Sequence, residues 1–384
     1  MRKLFVNAAL AAFMVAGFTA CVSESLENAG QAADETVNLK FVDEGFTRAV
    51  EAGVEAQTTV SLTAGYALFV NSNTGLIAKV TQLIADAPAA ADIAAGTKVQ
   101  IASSMTINKV SAHADKVYII GNLPSGVLST APAVNATIAS VNATSIAIAT
   151  QADATKATLY GSANVTKSEG SITATVALKA IDSRIEIGKI SYSGSYLTAW
   201  KVDGIFLDHY YPTMGVDGTS NAYLFSETVA DNAAADLKYT DNVSPYLTAA
   251  AGILYDWNST PIAAAGTPLA VTPASSKVWA YNTLTLASNT AANNPRIIIR
   301  LSAMTYSGGS AYSGETRYLT VKKFLDSSTN AEVTFTQGKI YKIADLSFTD
   351  NNLAPIPNES SVTVSVSVTA MQWNVENVKA GFDD

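Results

Sequence analysis

Apolar and polar residues alternate over many short stretches of this chain, and that rhythm predicts strands. Residues 36–42 set Val37, Leu39 and Phe41 on one side and Asn38 and Lys40 on the other. A period of two is the mark of a half-buried strand. Further short strands are expected at 59–62, 66–70, 99–101, 116–120, 144–149, 172–178 and 183–190. One stretch breaks the rhythm. Leu76, Ile77, Val80, Leu83 and Ile84 recur at i, i+1, i+4, i+7 and i+8, with Pro88 beyond, which predicts a single short helix. A second set of strands is expected at 200–208, 278–286, 296–304, 317–323, 331–336 and 339–348. Pro295 heads one of them, a place where proline is tolerated. Residues 209–275, rich in Ala, Thr, Asp, Asn and Gly, read as surface loops with room for a short helix. No βαβ rhythm is present, which argues against a parallel α/β sheet. The two sets of strands predict an all-β chain built as two β-sandwiches in tandem.

The trailing segment has its own pattern. Residues 351–361 carry Pro355 and Pro357 and read as a linker. Beyond it Val362, Val364, Val366 and Val368 alternate strictly with Thr363, Ser365, Ser367 and Thr369. After Ala370 the phase shifts, so that Met371, Trp373 and Val375 share a face. A one-residue phase change turns every side chain over unless a bulge or bend absorbs it. Two strand pieces joined by a kink near Ala370 are expected.

The leading segment reads as an export signal. Arg2 and Lys3 precede an apolar stretch from Leu4 to Gly17, interrupted by Asn7, and then Phe18-Thr19-Ala20-Cys21. That is too short for a membrane span and has the form of a secretory signal. Cys21, the single cysteine, stands where a bacterial lipoprotein is cut and acylated. The other reading is ordinary signal cleavage with Cys21 incidental. Residues 22–36 are small and polar, a tether beyond the lipid.

Composition removes several function classes. The 384 residues are 48% hydrophobic and 15% charged, which excludes a disordered chain. The net charge of -8, with no basic cluster, argues against nucleic acid as a partner. His113 and His209 lie far apart with no Cys nearby, so no zinc site is expected, and both read as polar surface residues. No nucleophile elbow, phosphate loop, dinucleotide fingerprint or calcium loop is present. The chain reads as a non-enzyme without cofactor or metal.

Several segments, in order, carry a family resemblance. They are the signal ending at Cys21, Arg48 after a first short strand, and Lys116-Val-Tyr-Ile-Ile-Gly-Asn-Leu-Pro124. Ala157-Thr-Leu-Tyr-Gly-Ser-Ala163, Ser183-Arg-Ile-Glu-Ile187, Phe335-Thr-Gln-Gly-Lys-Ile-Tyr341 and the valine-rich tail with Trp373 follow. Together they resemble the fimbrillins of the Bacteroidales, the type V pilin subunits. Leu159-Tyr160 departs from the Pro-Met of that family's turn. The resemblance implies two tandem transthyretin-like β-sandwiches with a trailing donor-strand extension. Its divisions would be a signal peptide over 1–20, a propeptide over 21–48, sandwiches over 49–190 and 191–349, and a linker with donor strand over 350–384.

It also implies a life history. The precursor is exported as a lipoprotein, held in the outer membrane by acyl chains such as palmitate on Cys21. An Arg-specific protease cuts after Arg48 and leaves Ala49 as the new start. The strand of Val37, Leu39 and Phe41 departs. The tail strand of another copy or of a related subunit, with Val362, Val364, Val366, Val368, Met371, Trp373 and Val375, takes its place, and a surface fimbrium used in adhesion grows. Two readings of the tail stay open: the valine strand could belong to its own second domain with only 371–378 donated, and Trp373 could be an ordinary core aromatic. The alternatives are a tip or anchor subunit of the same fimbrium, or a monomeric surface lipoprotein that binds glycans through exposed aromatics such as Tyr210, Tyr211 and Trp257.

Overall fold

The computed structural model describes residues 34–42, 59–128, 131–151, 157–168, 171–219, 255–273, 278–308, 315–357, 362–370 and 372–375. The chain opens with strands β1 (Asp34–Val42), β2 (Thr59–Leu62), β3 (Ala64–Asn71) and β4 (Leu76–Ile84). Helix α1 (Ala90–Ala95) leads to β5 (Lys98–Gln100), β6 (Ser104–Ser111) and β7 (Lys116–Gly121). Helix α2 (Ile138–Asn142) precedes β8 (Ser145–Ala147), β9 (Leu159–Asn164) and β10 (Thr166–Ser168). Then come β11 (Ser171–Ala177), β12 (Lys179–Ala180), β13 (Asp182–Ile187), β14 (Ile190–Tyr192) and β15 (Leu197–Asp208). The rest are β16 (Thr213–Gly215), β17 (Tyr255–Ala263), β18 (Ala270–Val271), β19 (Trp279–Leu284) and β20 (Arg296–Tyr306). The last five are β21 (Arg317–Asp326), β22 (Lys339–Ile343), β23 (Leu346–Phe348), β24 (Val362–Ala370) and β25 (Gln372–Val375).

The fold is all-β, as expected. A four-stranded sheet in the order β10-β11-β1-β6 lies over a six-stranded sheet in the order β12-β9-β7-β3-β4-β5. Alternation decides what fills the space between them. Val37, Leu39 and Phe41 of β1 meet Ala67 and Phe69 of β3 and Val117 and Ile119 of β7 in one buried cluster. The opposite residues of the same strands, Leu68, Val70 and Ile120, belong to a second cluster that continues into the later part of the chain. The six-stranded sheet is therefore apolar on both faces. The second cluster gathers under an eight-stranded sheet in the order β17-β15-β20-β21-β24-β22-β13-β19.

That two-sided burial corrects the helix expected over 76–84, which is strand β4. Ile77 packs in one cluster and Leu83 in the other, and a register shift at Phe69/Val70 sets the two parts of β4 out of step. Apolar residues on both faces plus a bulge imitate helical spacing. Asn71 and Gly75 decide the matter locally. Gly75 adopts φ 69°, and its N–H donates to the Asn71 carbonyl at 2.8 Å, closing a turn that lays β4 back on β3. In place of the single helix there, the described residues hold the two short helices α1 and α2.

Other expectations change too. Residues 331–336 form no ladder; only Glu332 bridges to Leu325. Asn294 takes the place of a neighbouring strand. Its side chain donates to the Val333 carbonyl at 2.7 Å and accepts from the Phe335 N–H at 2.9 Å, while the Phe335 ring stacks on Tyr341 at 3.8 Å. The strand expected over 339–348 is broken into β22 and β23, and the one over 144–149 shortens to β8 before a 3-10 turn. Within 209–275, read as loops, lie β16, β17 and β18. The strand carrying Arg184 pairs as β13 with β19 and β22 of the eight-stranded sheet. Among the described residues no helix is long and apolar enough to cross a membrane.

Candidate assembly site

β1 is the strand on which the first sheet depends. Asp34–Lys40 run antiparallel to β6, and Asn38–Val42 run parallel to β11. Without β1, β6 would have no ladder to β11. The inward residues are sealed: Val37 and Leu39 expose nothing and Phe41 only 9%. The outward residues are tied to the neighbours by polar contacts. Thr36 Oγ1 donates to Asn108 Oδ1 at 3.2 Å, Thr106 Oγ1 donates to Asn38 Oδ1 at 3.0 Å, and Lys167 Nζ meets Glu35 Oε2 at 2.8 Å. The ion pair is partly exposed, so solvent screens it. Apolar burial and the two ladders hold β1 in place.

β24 has a similar station in the eight-stranded sheet. Val362–Val366 lie parallel to β21, and Ser367–Ala370 lie antiparallel to β22. Val364 and Val366 are buried and Val368 is exposed. Both β1 and β24 are nine residues long, and both join one parallel to one antiparallel neighbour. The valine strand, expected to serve as donor, thus lies in its own chain's sheet here. It is the placement that the first open reading of the tail gives to the valine strand. β25 does something different. It runs parallel to β2, with Trp373 opposite Val60 and Val375 opposite Leu62, so the tail returns to the first half of the chain.

Cys21, Arg48, Ala49 and Met371 lie outside the described residues, as do the side chains of Val362, Trp373 and Val375. Two expected residues of the glycan-binding alternative are placed elsewhere: Tyr210 and Tyr211 are buried in the core and offer no face to a sugar. The Trp257 side chain is outside the described set. His113 is exposed, as read. His209 is half buried, its Nε2 2.9 Å from the Ala292 carbonyl oxygen, and burial, then Arg296, lowers its pKa. It is a structural residue at a positive-φ corner. Strands β9 and β10 are not among those expected from the sequence, and neither is β6, the antiparallel neighbour of β1. The signal for β6 was the alternation of Met105 and Ile107, broken before Val110 where the ladder shifts register.

No family model matches this chain, and no curated protein matches it. Solved structures do. A fimbrilin from Porphyromonas gingivalis W83 aligns over 88% of this chain and 98% of its own at 12% identity, with a TM-score of 0.50. A candidate cell adhesion protein from Parabacteroides distasonis ATCC 8503 aligns over 90% and 99% at 12% identity, with a TM-score of 0.49. Another from Bacteroides eggerthii DSM 20697 aligns over 89% and 97% at 15% identity, with a TM-score of 0.48. The chain shares the all-β fold of the fimbrilin.

Proposed function

We propose that this chain is a structural subunit of a cell-surface fimbrium, of the shaft, and that it supports adhesion. It is exported as a lipoprotein acylated on Cys21 and held in the outer membrane. An Arg-specific protease cuts after Arg48 and exposes Ala49. The head piece then leaves, and the tail of another copy fills the place of β1. One slot and one tail per subunit make a head-to-tail contact, which propagates as a filament instead of closing into a dimer.

The observation that carries this reading is the station of β1. The first described strand of the chain joins β6 to β11, with Val37, Leu39 and Phe41 in the core. A cut after Arg48 severs it covalently and leaves it held by ladder bonds and burial. Its departure opens two sheet edges above exposed core, a template for an extended, alternating strand. Refilling the slot with three apolar side chains returns roughly 1.5–3 kcal/mol each before ordering costs. The shared fold with a fimbrilin supports the same reading.

The test compares the chain beginning at Ala49 with the chain that keeps residues 22–48. The shorter one is expected to form oligomers without protease, while the longer one stays monomeric until trypsin at limiting dose cuts it at Arg48. An Arg48→Ala chain is expected to resist that conversion. A monomeric Ala49 chain at high concentration would reject the reading.

A further inference from the structure

The partner in this assembly is a second copy of the chain, and the two parts of the tail are held in unequal ways. β24 is the only ladder connection, among the described residues, between β17-β15-β20-β21 on one side and β22-β13-β19 on the other. Its removal would split the eight-stranded sheet and uncover the site of Val364 and Val366. β25 is four residues long and pairs with β2, also four residues, in a two-stranded sheet of their own. A lone two-stranded pair is marginal in water.

Strand conservation then separates the two candidates. Suppose β24 were handed to the next copy. It would mend the gap between that copy's β6 and β11 and open an equal gap between its own β21 and β22. The number of completed sheets per subunit would not change, and burial would supply no net drive. Suppose instead that β25 is handed over. A short one-sided ladder is given up, and a bridging strand with two neighbours is gained. Met371, Trp373 and Val375 repeat at a period of two, as Val37, Leu39 and Phe41 do in β1, so the stretch after Ala370 can present one apolar face just as β24 could, and strand conservation decides between them.

We propose that β24 stays in its own body throughout the fibre, and that the strand passed to a second copy is the stretch after Ala370, including β25. This rests on the proposed function. β2 of the same chain is the parking place that β25 leaves on assembly. The pairing on β2 keeps the tail occupied until a slot opens elsewhere.

Pinning β24 tests the division. Lys342 and Ser367 face each other across the antiparallel β22–β24 ladder. Facing residues in such ladders lie about 4.5–5.5 Å apart at Cα, within disulfide reach. The variant Cys21→Ser/Lys342→Cys/Ser367→Cys, oxidised, cannot release β24; Lys339→Cys/Ala370→Cys, in the same Cys21→Ser background, is a second pin three residues along the ladder. After limited trypsin, oxidised and reduced pinned chains are expected to give the same oligomer ladder, within twofold in rate. A chain ending at Ala370 is expected to stay monomeric. Either of two results overturns the inference: oligomers from both pins only after reduction, or a full ladder from the chain ending at Ala370. If the unpinned, trypsin-cut chain forms no oligomers, the proposed function fails first and this inference with it.

Discussion

Leu39 of β1 lies opposite Met105 of β6, and both side chains are shut off from solvent. This pair ties β1 to its antiparallel neighbour. Leu39→Ala is expected to lower the stability of the uncut chain by about 2–5 kcal/mol, the usual cost of a buried Leu-to-Ala cavity. The urea midpoint of the chain carrying residues 22–384 reads it. An unchanged midpoint would mean that β1 contributes nothing to the precursor's core.

Asp182, at the head of β13, is fully buried, and neither carboxylate oxygen finds a partner on another residue among the described ones. Burial pushes its carboxyl up to about 7, against the opposing pull of its own backbone N–H and of Arg184. The unfolded chain releases that proton near pH 4. Between about pH 4 and 7 the folded chain holds a proton that the unfolded chain has lost, so stability falls as pH rises and levels off above pH 7. The loss is on the order of 4 kcal/mol. Asp182→Asn is expected to abolish most of that slope and to be the more stable chain at pH 8. Parallel curves for the two chains in urea unfolding at pH 5 and pH 8 would contradict it.

Asn294 replaces a strand neighbour for residues 333–335 by bonding to both Val333 and Phe335. Asn294→Ala leaves those two backbone groups without these partners. A loss of about 1–3 kcal/mol is expected, the cost of leaving the buried Phe335 N–H unsatisfied, with water reaching the part-buried Val333 carbonyl. Thermal unfolding reads it, and a change under about half a kilocalorie would show that the other contacts of the loop, among them the Phe335–Tyr341 stack and the Val333 N–H bond to the Phe324 carbonyl, hold it without Asn294.

Glu35 of β1 forms an ion pair with Lys167, yet both remain partly exposed. Glu35→Gln is expected to change stability by less than about 1 kcal/mol. Its effect should vanish in 0.5 M salt. A larger, salt-independent loss would assign the retention of β1 to charge instead of burial.

Much of this was legible in the sequence, and the limits have physical causes. Val37, Leu39 and Phe41, and the four valines of β24, declare their strands because one face of each is buried and the other is not. Alternation gives a face, not a neighbour. It could not say that β24 joins β21 to β22, or that β25 lies on β2. β4 imitates helical spacing because Ile77 and Leu83 pack into different cores. Asp182 carries no local signal at all; its burial comes from strands that are distant in the chain. The same is true of Asn294, which acts on residues about forty positions away.

The central claim is that another copy's tail comes to rest where β1 lay. Thr106 of β6 sits opposite Asn38 of β1 and so lines the slot. A chain starting at Ala49 with Thr106→Cys, mixed with a second such chain carrying Asn374→Cys, should yield an intermolecular disulfide that joins one copy of each. The same pair of substitutions in chains retaining residues 22–48, left uncut, should give none. Equal crosslinking with and without the head piece, or none in either, would contradict the account.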